Sequence, residues 1–155
     1  MKSAMAYFWN DTILVTSSRQ TTTGILVAAP PFFRMKVAIK DARLGETIVE
    51  ALKPSGQTIP HPENWRAMDE PLIEFMGAES WADVSKNGVF AGIDLTDNEL
   101  AIVPHRKVGN GGSVPFPEQT STWRWPSSFE ILGAELKRVL RESVPTTEQN
   151  VENEQ

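Results

Sequence analysis

Apolar positions recur with a period of two near the start of the chain and with a helical period at its end. Residues 6–9 are aromatic-rich and residues 12–16 are β-branched and apolar, with Asn10 and Asp11 as turn residues between them, so this segment predicts a β-hairpin. Residues 17–23 are polar and read as a loop. Gly24 opens a third apolar run over 25–29, and Pro30-Pro31 requires that strand to stop or to lie at a sheet edge, because proline has no N–H for the ladder. Residues 32–39 alternate again, with Phe33, Met35, Val37 and Ile39 on one side.

The period then changes. Leu44, Ile48, Val49 and Leu52 fall on one helical face between a capping Asp41 and the Pro54/Gly56 stop, which predicts a helix over 43–53. Residues 56–64 read as a loop, with Trp65 anchoring it on the core. A short helix is expected over 72–76, with Pro71 in its first turn and Gly77 after it, and another over 79–85 carrying Trp81 and Val84. Runs at 89–95 and 100–103, joined by Thr96-Asp97-Asn98-Glu99, predict a second hairpin. Residues 109–113 are a glycine-rich loop and 120–125 alternate as a last strand. Ser127 and Glu130 form a capping box before Leu132, Leu136, Val139 and Leu140, and this terminal helix runs to about Ser143, ahead of Pro145. Strands and helices do not alternate regularly, so the expected fold is α+β, a mostly antiparallel sheet of about five to six strands flanked by two to four helices on one face or one end. Residues 1–145 read as one domain and 146–155 as a disordered polar tail.

Composition narrows the function classes. Apolar residues make up 40% and charged residues 23% of the chain, an ordinary globular balance. There is no cysteine, which excludes disulfides, thiolate metal sites and a cysteine nucleophile. The formal charge of −5 opposes general nucleic-acid binding and favours a basic partner. The N-terminal apolar run is too short for a signal peptide or a membrane span, so a cytoplasmic protein is expected.

Candidate chemistry is sparse. His61 and His105 each sit beside proline and read as exposed loop residues, with no metal-ligand spacing around them. No serine occupies a nucleophile elbow, and the glycines at 109, 111 and 112 lack the lysine of a phosphate cradle. Asp94, Asp97 and Glu99 gather acid near one turn. They suit a solvated turn, a receptor for a basic partner, or a metal or acid–base site, in descending order of fit. Trp123 and Trp125 flank Arg124 and so share one face. Buried, they pack the core; exposed, they make a binding hot spot or a stacking platform for nucleic acid or a small ligand. No cofactor, metal or catalytic residue is expected, and the chain reads as a binding protein rather than an enzyme.

One resemblance spans roughly residues 5–142. The aromatic opening hairpin leads to Leu44-Gly45-Glu46-Thr47-Ile48-Val49-Glu50-Ala51-Leu52, then Ile59-Pro60-His61-Pro62 with Trp65, then a Ser80-Trp81 step, then Leu100-Ala101-Ile102-Val103-Pro104, and closes with Ser127-Ser128-Phe129-Glu130-Ile131-Leu132-Gly133-Ala134-Glu135-Leu136. This succession resembles the immunity proteins of bacterial contact-dependent growth inhibition systems. The resemblance implies a cytoplasmic protein that binds and neutralises the C-terminal toxin domain of a delivered effector, often a nuclease, in some relatives by accepting a toxin β-hairpin onto its sheet. It carries over no contact residues. The acidic contact set expected from the residues themselves is Asp11, Asp94, Asp97 and Glu99.

Overall fold

The computed structural model describes residues 1–108 and 112–142. The element order is β1 (Lys2–Trp9), β2 (Thr12–Thr21), β3 (Leu26–Lys36), α1 (Asp41–Leu52), β4 (Thr58–Ile59), α2 (Trp65–Met76), α3 (Trp81–Asn87), β5 (Val89–Thr96), β6 (Glu99–Val108), β7 (Gly112–Pro115), β8 (Ser121–Arg124) and α4 (Phe129–Glu142). The main sheet runs β3-β2-β1-β5-β6-β7, with β4 parallel to the end of β2 and β8 antiparallel to β6. The expected α+β class holds, but with eight strands rather than five to six.

The extra strands come from segments whose polarity hid them. Residues 17–21 are not a loop: they continue β2, and Ser17, Ser18 and Thr21 are buried there. The two runs around Pro30-Pro31 are one strand, β3, bulged where Thr16 pairs Phe32 and Ser17 pairs Ala29. As expected of a proline pair, they lie on an edge strand. The two-residue β4 has no sequence signal. Of the glycine-rich stretch, Gly112-Ser113 belongs to β7; residues 109–111 and the polar tail lie outside the described residues.

Helices pack on both faces of the sheet, not on one. Alternation explains this: Ala4, Ala6, Ile13, Val15, Ala91 and Ile93 point to α1 and α4, where they bury Leu44, Ile48, Leu132 and Leu136. Tyr7, Leu14 and Phe90 point the other way, onto Leu72, Met76 and Val84 of α2 and α3. Each such valine, leucine, isoleucine or methionine contributes about 1.5–3 kcal/mol on burial.

Helix boundaries differ from expectation in instructive ways. Asp41 is the first helical residue, not the cap, and its carboxylate pairs with Lys137 at 2.8 Å. α2 begins at Trp65, capped by Asn64 Oδ1 accepting the Ala67 N–H at 3.2 Å, so Pro71 lies inside the helix and not in its first turn. Trp65 is 40% exposed and anchors no core. Gly77 closes α2 at φ +75°, the left-handed conformation glycine tolerates. Ser80 caps α3 by accepting the Asp83 N–H. Ser128, not Ser127, caps α4, accepting the N–H groups of Glu130 at 3.1 Å and Ile131 at 3.3 Å.

α1 and α4 cross antiparallel at two glycines. A Cβ on Gly45 would sit 2.0 Å from the Phe129 carbonyl oxygen, and one on Gly133 would sit 1.8 Å from that of Asp41. The close approach fixes where the first turn of α4, and therefore the β8–α4 junction, stands against the sheet.

Candidate functional site

The β5–β6 hairpin makes one end of the sheet. Asp97 holds its turn at φ +51°, and Thr96 pairs with Glu99 across it. β8 then returns alongside β6, setting Arg124 opposite Glu99 and Trp123 opposite Leu100. The Trp125 N–H donates to the Asn98 carbonyl at 2.7 Å, locking the turn to the strand that approaches α4. The result is an open cavity of about 470 Å³ lined by Thr96, Asp97, Asn98, Glu99, Trp123 and Arg124.

Its walls have distinct chemistry. Asp97, Glu99 and Arg124 are exposed. Trp123 and Trp125 are partly buried and pack against the core, in line with the core reading of this pair. The Trp123 indole Nε1 is buried without a hydrogen-bond partner. Trp125 leans on Phe129, their ring centroids 6.4 Å apart, and Phe129 is 42% exposed at the overhanging start of α4.

The expected acidic set does not converge. Asp97 and Glu99 line the cavity. Asp94 lies on β5 with its side chain on the opposite sheet face from Ile93, half-buried, and accepts a hydrogen bond from Ser3 Oγ at 2.7 Å. Asp11 occupies the β1–β2 turn at φ +56°. The β1–β5 register pairs Lys2 with Leu95 and Phe8 with Val89, which puts that turn at the far end of the sheet, roughly 25 Å away along the strands.

His105 is also not a loop residue. It sits half-buried on β6, and burial lowers its pKa while the nearby Asp94 carboxylate pulls in the opposite direction. Ser3, Asp94 and His105 do not form a nucleophile relay: that needs the imidazole between serine and carboxylate, whereas here Ser3 donates to the carboxylate directly. Under α2, burial and the Asp69 charge push the Tyr7 phenol well above its ordinary value, and burial raises Asp69 in turn. Tyr7 joins Phe90 and Trp81 in an aromatic cluster, the latter two stacked at 5.9 Å, which is packing and not a site. Among the described residues, no group of three or more His, Asp or Glu is placed to hold a metal ion. Among them too, no helix is long and apolar enough to cross a membrane.

Sequence reasoning found the turn acids and the two tryptophans but not their meeting. Arg124 entered it only beside the two tryptophans, as part of a stacking platform, and Phe129 only within the α4 motif; the pairing of β8 with β6 sets Arg124 opposite Glu99.

No family model matches the sequence, and no curated protein matches it. Solved structures do. A Neisseria meningitidis protein of unknown function superposes with a TM-score of 0.74 at 18% identity, covering 91% of this chain and 94% of that one. A chain of the CdiA-CT/CdiI toxin and immunity complex from Yersinia pseudotuberculosis superposes with a TM-score of 0.63 at 20% identity, covering 93% of this chain and 98% of that one. At these identities the likeness establishes a shared fold.

Proposed function

We propose that this chain is a cytoplasmic immunity protein of a contact-dependent growth inhibition system, which binds and neutralises the toxin domain of its effector and catalyses no reaction itself. The observation that carries this reading is the near end-to-end likeness to a chain of a toxin and immunity complex. The motif succession from the opening hairpin to the α4 sequence leads to the same family from the residues alone.

Charge supports the choice of a nuclease as the toxin. A nuclease holds phosphate with a basic surface, and a chain of net charge −5 is steered towards such a surface and away from nucleic acid itself. The sheet also leaves room for a partner strand: β3 is paired with β2 along one side only.

Co-expression with the toxin domain encoded beside this chain tests the reading. Cells carrying both are expected to survive where cells carrying the toxin domain alone do not, and the two chains are expected to co-purify. Death of the co-expressing cells together with no co-purification would remove the proposal.

A further inference from the structure

We infer that the cavity between the β5–β6 turn and the β8–α4 junction is a docking surface for a basic loop of the toxin domain, one that presents a lysine or arginine beside an apolar side chain. This rests on the immunity reading above. Charge complementarity selects this occupant. Asp97 and Glu99 stand exposed at the mouth and form no ion pair among the described residues, although other exposed carboxylates such as Glu46, Glu50 and Glu142 do. Glu130 adds a third exposed carboxylate, next in the chain to Phe129, against the single guanidinium of Arg124. The local charge is therefore negative, and two of its members belong to a tight turn whose backbone is tied to Trp125.

The apolar half of the site is equally particular. Phe129 falls on the same helical stripe as Leu132, Gly133 and Leu136, the stripe α4 buries, yet it remains 42% exposed because the sheet ends beneath it. Trp123 also lines the cavity, with its ring on the core side of the sheet beside Leu100. A loop whose cation meets Asp97 and Glu99 and whose apolar group covers Phe129 would satisfy both. Aromatic anchors within a polar rim are the usual anatomy of a protein-binding surface.

Two turns offer a matched comparison. Asp97 and Asp11 both hold left-handed backbone, φ +51° and +56°, which asparagine also tolerates, and they stand at opposite ends of the sheet. Asp97→Asn combined with Glu99→Gln, and separately Asp11→Asn, would be compared with the wild type for association with the toxin domain by surface-immobilised kinetics, with melting curves confirming that each variant folds. The double variant is expected to associate at least about tenfold more slowly at low salt, with Asp11→Asn within about twofold of wild type. A double variant within twofold of a binding wild type would overturn the docking surface while leaving the immunity reading intact. A wild-type chain that neither binds nor protects would overturn both.

Discussion

The hydroxyl oxygens of Thr16 and Ser18 are buried without partners. Both sit in β2, in the stretch where the sequence turns from apolar to hydroxyl-rich. An unpaired buried hydroxyl is a cost that an isosteric methyl does not carry, so Thr16→Val is expected to raise stability by about 1 kcal/mol, read as a higher urea midpoint at unchanged m-value. A lower midpoint would mean the hydroxyl is satisfied. His105 makes a second residue-scale prediction. Its folded pKa is lowered from 6.5, so the unfolded chain binds more protons in the window just below that value, and this histidine's contribution to stability is lost as pH falls through it. His105→Gln is expected to flatten the stability–pH curve on the acid side of pH 6.5, measured by denaturation at several pH values; an unchanged slope would exclude the group.

At the scale of elements, the α1–α4 crossing is the least tolerant point described. Gly133→Ala would drive a methyl into the Asp41 carbonyl, and a backbone atom cannot rotate away as a side chain can. The expected loss is at least about 3 kcal/mol, seen as a lowered melting temperature, and Gly45→Ala should behave alike. A loss below about 1 kcal/mol would show that the helices separate freely. This crossing was invisible in the sequence, where both glycines read as ordinary helix interior. What was legible follows from periodicity: the α4 stripe of Leu132, Leu136, Val139 and Leu140 is buried as expected, and the Asp97 turn stands where Thr96-Asp97-Asn98-Glu99 put it. What was not legible depends on partners distant in sequence. Ser17, Ser18 and Thr21 are polar, yet they are buried where neighbouring strands take up the chain: β1 and β3 beside Ser17, β3 beside Ser18 and β4 beside Thr21. Apolar spacing cannot register that.

At the scale of the molecule, the same limit governs the site. Composition supplied the sign of the charge, and local spacing supplied the candidate acids. Their grouping required the sheet order. The antiparallel β1–β5 register sends Asp11 and Asp97 to opposite ends, and Asp94, on the same sheet face as Glu99 but further along the strand, is taken up by Ser3. Of four expected contact residues, the structure assembles two, and it adds Trp123, Arg124 and Phe129 around them. A mostly antiparallel sheet with helices on both faces also leaves its outer strands as the places where a partner's main chain can join.

The proline pair in β3 sets terms for anything that joins there. Pro30 and Pro31 divide that margin into Leu26 to Ala29 and Phe32 to Lys36, four and five residues with N–H groups. Neither run reaches the roughly six residues that self-templating stacks require. Identical copies therefore find no continuous track to polymerise along, although the margin stays open. A visitor reading both halves must itself bend or skip a rung at the prolines, so the interruption works as a lock whose key has a matching notch.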